Sequence, residues 1–220
     1  GYVEMNVLYW LRQYPKLSES FILNEIHELN RRGHNVAVFA LDEPNESIEH
    51  KEVLDIDIPV NYAKIPPRVD FSAIFNQKLL DSRLRETMRL STKPAGQLGG
   101  LYLAIQCINW IEDGKFNPDI IHAHFATFDK FGSAFAASYL GVPHTITAHA
   151  FEIFSDPDWG LLEHLFSNCE RIISPSEYNK TYIREHIPSA LPLDIDVVPA
   201  TTNVEKFQPV GEEEPYRLVT

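Results

Sequence analysis

Short apolar runs with β-leaning residues recur along this chain, and most lead into a stretch that reads as helix. The runs are 5–11 (MNVLYWL), 34–41 (HNVAVFAL), a weaker one near Val60 (VNYAKI), PDIIHAHF ending at 122–125, HTITAHA, RIIS and DIDVVPA. Between them, residues 18–32 place Ile22, Leu23, Ile26 and Leu29 on one helical face, and Gly33 closes that helix as a left-handed stop. A mostly helical insertion covers 70–93 and another helix covers 101–113. FDKFGSAFAASYLG is a helix of small residues halted by Gly141 and Pro143, and 159–167 is helical. Ser174, Pro175 and Glu177 read as the cap, first position and third position of a last helix. Strands that alternate with helices pair in parallel, because each crossover returns the chain to the same sheet edge. The expected fold is α/β, a parallel sheet of about seven strands with helices on both faces. Such sheets take ligands at the carboxyl ends of their strands.

The chain has 220 residues, 44% of them apolar, enough for one large core. Asp plus Glu is 31 against 19 Lys plus Arg, a formal charge of −12, which repels phosphate backbones and excludes a general nucleic-acid role. Cys107 and Cys169 have neither metal nor disulfide spacing and fit a reducing compartment. No apolar run reaches membrane-spanning length and no basic-then-apolar leader opens the chain. These features read as a soluble, cytoplasmic protein. VGEEEP at 210–215 is a polar, acidic break, and YRLVT after it looks like the opening of another strand. The boundary is therefore placed at 209, with 210–220 as linker and the start of a second domain cut short.

The turns after the strands hold the candidate residues. The first, QYPKLSES, has no glycine before Gly33. Ser18 can cap the helix and Ser20 lies in its first turn, where free N–H groups attract anions. Plain capping competes with that reading, and Glu19 strengthens it by satisfying the positive helix end. His122 and His124 alternate on a strand end and share one face, as two metal ligands would. No third ligand stands at a convincing spacing, so no metal is expected. His124, nearer the turn, has the better claim to a ligand contact. His149 follows a strand at the mouth of the sheet, with Glu152 three residues on. A histidine there can donate to a sugar hydroxyl or a developing charge, or simply bond to backbone. The glycines of GQLGGL (Gly96, Gly99, Gly100) follow no strand and form no dinucleotide fingerprint. Residues 78–93 carry five basic side chains against Asp81 and Glu86, with Leu80, Leu84 and Met88 in one stripe. Such a helix can lie on an anionic membrane surface or dock as an ordinary surface helix.

Four segments in order carry a resemblance. YPKLSESFILNEIHELNRRGHNVAVFAL, PDIIHAHF, GVPHTITAHAFEIF and VVPATTNVEKFQP resemble the opening unit, the central strand, the Gly-hydrophobic-Pro strand and the hinge of retaining GT-B glycosyltransferases of the family 4 group. In the hinge the matching positions are Pro199, Asn203, Phe207 and Pro209. The resemblance implies a Rossmann-like N-terminal, acceptor-side domain facing a second domain that grips a nucleoside diphosphate sugar with a basic pair and a Glu-x7-Glu segment. It thereby implies why the first turn lacks a glycine cradle: the nucleotide is held chiefly from across the cleft. His149 matches the family histidine that contacts the donor sugar or leaving diphosphate. His124 matches the strand-end histidine, and Ser18, Glu19 and Ser20 match the first loop. Two positions depart: Glu152 stands where Asp is usual and reaches one methylene further, and Asn203 lacks the usual hinge charge.

The resemblance implies transfer of a sugar from a nucleoside diphosphate sugar to a glycan or lipid-linked acceptor, with retained configuration. No cofactor or metal is implied, because cationic side chains of the second domain would neutralise the diphosphate. The chain alone is expected to be inactive and its full form cytoplasmic; for 78–93 the docked surface helix is the favoured reading and peripheral membrane contact the alternative. Two other accounts stay open. One is a nucleotide-sugar epimerase on the same architecture. The other is a non-catalytic binding domain, which predicts a filled apolar cleft at the strand ends.

Overall fold

The computed structural model describes residues 3–44, 57–64, 94–155, 157–187 and 193–200. Strand β1 (Asn6–Gln13) shows how one sequence builds two layers. Side chains alternate across a strand. Val7, Tyr9 and Leu11 join Val36, Val38 and Ala40 of β2 (Asn35–Asp42) under Ile22, Leu23 and Ile26 of α1 (Ser20–Arg31). Leu8 and Trp10 face the other way, with Ala37 and Phe39, into a second core. That core holds Leu101, Ala104 and Ile108 of α2 (Pro94–Trp110) and Phe135 and Ala136 of α3 (Phe131–Leu140). Each fully buried aliphatic of this kind contributes about 1.5–3 kcal/mol.

The remaining elements are β3 (Val60–Tyr62), β4 (Ile120–His124), β5 (His144–Thr147), α4 (Trp159–Ser167), β6 (Arg171–Ser174), α5 (Glu177–His186) and β7 (Ile195–Val197). The seven strands run in the order β3-β2-β1-β4-β5-β6-β7. Every neighbouring pair is parallel, with Tyr9 opposite His122 and His124 opposite Thr147. The Rossmann-like α/β fold expected from the sequence is thus present.

Helix ends follow local chemistry, with two corrections. Gly33 (φ 89°) closes α1 as expected, its N–H donating to Asn30 and that of His34 to Leu29. Gly141 (φ 70°) does the same for α3. Ser174, however, does not cap α5. It is the last residue of β6, where its carbonyl accepts from Val198, so the cap moves to Ser176, whose Oγ accepts from the Asn179 N–H at 3.1 Å. Nor does Ser18 cap α1. A 3-10 turn at Leu17–Glu19 intervenes, α1 begins at Ser20, and Glu19 pairs with Lys16 Nζ at 2.6 Å.

Gly99 and Gly100 lie inside α2, which agrees with their failure to form a nucleotide loop. Gly100 is buried where α2 meets α3: a Cβ there would meet Phe131 Cβ at 3.0 Å. Its counterpart Gly132 is tighter, since a Cβ would stand 2.6 Å from Trp10 Cζ2 and 3.2 Å from the Gly100 carbonyl oxygen. Trp10 is fully buried and has nowhere to retreat. Gly132→Ala is therefore expected to lose about 1–3 kcal/mol of stability by overpacking. A urea unfolding midpoint unchanged from the parent would refute that packing.

Candidate active site at the sheet switch point

Strand order reverses between β1 and β4, with one crossover leading to β2 and the next to the far side, so a crevice opens at their carboxyl ends. A pocket of about 340 Å³ lies there. Its walls include Phe21, Asn24 and Glu25 of α1, His124 and Thr147 at the ends of β4 and β5, His149, and Val198 and Pro199 after β7.

Register builds the histidine cluster. His122 and His124 are two apart on β4, so both lie on the face that Tyr9 and α1 share. His122 is a satisfied core residue, with Nδ1 2.7 Å from Thr145 Oγ1 and Nε2 3.2 Å from Thr147 Oγ1. Burial, and then the neighbouring His124, push it down to about 3, so it is neutral at pH 7. His124 is also buried, and its Nδ1 lies 3.2 Å from His149 Nε2. His149 is half-buried and stacks on Phe125 with ring centroids 4.2 Å apart. Burial, followed by the influence of His124, lowers His149 to about 4, so it too is a neutral imidazole. In that state one ring nitrogen donates and the other accepts.

Phe125 has a φ of 63°, a left-handed conformation rare for a bulky residue. Glu152 holds this turn in place. Its Oε1 accepts from the Ala126 N–H at 2.8 Å and from the His149 N–H at 2.7 Å, tying the β4 and β5 turns together. Glu152 is buried, and that burial raises its carboxyl above the usual range against the pull of the two N–H donors. Its carboxylate therefore sits beneath the histidines as a clamp, outside the residues that wall the pocket.

Of the residues singled out from sequence, His124 and His149 meet directly, with Glu152 behind them. Ser18 and Ser20 are exposed and Glu19 is half-buried at the start of α1, outside the pocket wall. The basic segment 78–93, the hinge positions Asn203, Phe207 and Pro209, and the boundary at 209 lie outside the described residues. Sequence reasoning missed Glu25. Its Oε1 accepts from the Tyr9 hydroxyl at 2.7 Å and lies 3.6 Å from His124 Nε2 and 3.8 Å from His122 Nε2. Burial would raise this carboxyl, but His124, then His122 and the Tyr9 hydroxyl, outweigh it and hold Glu25 down at about 2. The available signal was spacing: Glu25 is four residues after Phe21 and three after Ile22, at the edge of the stripe that faces the sheet.

The sequence profile of Glycosyltransferase Family 4 matches residues 18–206. This chain belongs to Glycosyltransferase Family 4. No curated protein matches the sequence. Solved structures with the same fold include HepE of Anabaena in complex with UDP and glucose, at a TM-score of 0.57 and 14% identity, covering 92% of this chain and 46% of that one. MurG of Acinetobacter baumannii gives 0.52 at 13% identity, covering 94% and 48%. A UDP-N-acetylglucosamine 2-epimerase of Rickettsia bellii gives 0.50 at 15% identity, covering 90% and 45%. The chain thus spans about half the length of the structures it matches. At these identities the likeness is one of fold. Among the described residues, no helix of this family 4 chain is long and apolar enough to cross a membrane.

Proposed function

We propose that this chain is the N-terminal, acceptor-side domain of a glycosyltransferase that moves a sugar from a nucleoside diphosphate sugar to a glycan or lipid-linked acceptor, with retention of configuration. The observation that carries this reading is the His124–His149 pair at the switch-point pocket of a family 4 domain. The pocket is mainly apolar in its lining but open, with His124, His149 and Glu25 in its wall, and that openness counts against a non-catalytic domain with a filled cleft. That HepE is seen with UDP and glucose supports a nucleotide-sugar donor, and the half-length coverage supports a second domain that supplies the main nucleotide grip.

In this reading His149 is the catalytic residue. Its Nε2 is engaged by His124, which leaves Nδ1 for a sugar hydroxyl or a phosphate oxygen. Phe125 fixes the ring plane, and Glu152 fixes the backbone that carries it. His124 acts by orienting His149, and Ser18, Glu19 and Ser20 approach the ligand from the first turn. Charge on the leaving diphosphate is met by the second domain, so transfer needs no metal, and the 220-residue chain alone is inactive. The protein works in the cytoplasm, with 78–93 available for the membrane face where lipid-linked acceptors lie.

The epimerase fold neighbour keeps a second reading in play. The test is to incubate the two-domain protein with nucleoside diphosphate sugars, with and without glycan or lipid-linked acceptors. Release of nucleoside diphosphate that depends on acceptor is expected. Conversion of the sugar at its ring carbon without any acceptor would overturn the transferase reading in favour of the epimerase.

A further inference from the structure

The sequence offered two histidines on one strand face and no third metal ligand at useful spacing. The fold supplies that ligand from α1. Glu25, His122 and His124 each present one donor atom, and the three atoms lie within 4.8 Å of one another. The carboxylate oxygen stands 3.8 Å from His122 Nε2 and 3.6 Å from His124 Nε2. Donors around a tetrahedral zinc, each at about 2.0–2.1 Å, are roughly 3.3 Å apart. The two carboxylate–imidazole edges would close by about half an ångström or less, and the three donors, now within 4.8 Å of one another, would draw in to that spacing to fill three corners of the coordination shell.

Two further features point to a cation. His124 is 2% exposed and its Nε2 makes no hydrogen bond, the nearest acceptor being the Glu25 carboxylate at 3.6 Å. A buried ring nitrogen normally has a closer partner than that. Each donor is also held from behind in the manner of metal ligands, whose orientation depends on an outer hydrogen bond. His122 Nδ1 meets Thr145 Oγ1 at 2.7 Å, His124 Nδ1 meets His149 Nε2 at 3.2 Å, and the Tyr9 hydroxyl donates to Glu25 at 2.7 Å. A metal on both Nε2 atoms requires a proton on each Nδ1, and each Nδ1 has an acceptor waiting. The 3.2 Å contact of His122 Nε2 with Thr147 Oγ1 would give way, which a rotating hydroxyl allows.

We propose that Glu25, His122 and His124 form a site for a divalent transition ion, zinc above others. Two imidazoles and one carboxylate suit Zn²⁺ and are a poor set for Mg²⁺ or Ca²⁺. Glu25 is 44% exposed at its side chain and lines the pocket, so the ion has a route in and its fourth position is left for water or an anionic oxygen. The site shares His124 and the pocket with the proposed transferase reading, but metal binding is read without turnover, so its failure and the failure of that reading are distinguishable.

The experiment uses the 220-residue chain, stripped with chelator and titrated with Zn²⁺ by calorimetry, and with Co²⁺ followed by visible absorption. One equivalent of Zn²⁺ with a micromolar or tighter Kd is expected, together with Co²⁺ bands of four- or five-coordinate N,O ligation. Glu25→Gln, on the exposed side of the cluster, and His124→Gln should each weaken Zn²⁺ at least tenfold. Circular dichroism confirms that each variant is folded. If His124→Gln unfolds, Glu25→Gln alone decides. No saturable binding, or binding that Glu25→Gln leaves unchanged because the ion sits on other histidines, would overturn the proposal.

Discussion

Replacing His149 with alanine is expected to lower kcat/KM by roughly 10²- to 10³-fold in the protein that carries both domains, with most of the loss in kcat. The size follows from what the side chain does. A pre-oriented donor aimed at charge that develops in the transition state is worth far more in a sheltered pocket than in water. His149 is half-buried, stacked on Phe125 and bonded to His124, so its ring is held before substrate arrives. Its depressed basicity keeps it neutral, able to donate from one nitrogen while the other accepts. Truncation leaves the Glu152 clamp untouched, because that bond uses the His149 backbone N–H, and folding should survive. Steady-state kinetics with the preferred donor and acceptor measure the effect. Turnover equal to the parent would remove His149 from the catalytic machinery and leave it a packing residue.

Asp129→Ala should cost about 3–5 kcal/mol of stability. Lys130 is fully buried, and its ammonium is paired with Asp129, which also accepts from Thr127 Oγ1 at 2.6 Å. Burial alone would raise the Asp129 carboxyl, but Lys130 and then Thr127 hold it below the usual range. Without Asp129 the buried cation's remaining hydrogen bond among the described residues is to Thr127 Oγ1, at 3.4 Å, with the Glu152 carboxyl near enough to feel its charge. An unpaired buried charge is among the largest single penalties a fold can carry. Removing the cation as well should reverse much of the loss, so Asp129→Ala with Lys130→Met is expected to be more stable than Asp129→Ala alone. Chemical denaturation of the three proteins forms the test. A single variant within 1 kcal/mol of the parent would show that the pair does not hold the β4 turn.

The outline of the fold was legible because periodicity is a local property. Residues 5–11 and 34–41 read as strands from their own composition, and the 3.6-residue stripe of Ile22, Leu23 and Ile26 marked α1 without reference to the sheet beneath it. Gly33 and Gly141 could be read as stops because only a residue without a Cβ takes those angles cheaply. The misread caps show where locality fails. Ser174 and Ser176 both look like caps, and the choice fell to Ser176 because the ladder to β7 claims the Ser174 carbonyl. Ser18 lost its role to a 3-10 turn stapled by Lys16 and Glu19, whose geometry no residue pattern announced.

By itself the sequence determined that the chain alternates strand and helix, that the sheet is parallel, and that histidines sit at the strand ends. Those facts depend on side-chain spacing along the backbone. Only the tertiary structure decided that Glu25 hangs over His122 and His124, that Glu152 faces inward to join two turns, and that Gly100 and Gly132 exist to let two helices touch. These are meetings between residues as much as 99 positions apart. Parallel crossovers bring them together, and no local pattern encodes a contact whose partner lies in another layer of the fold.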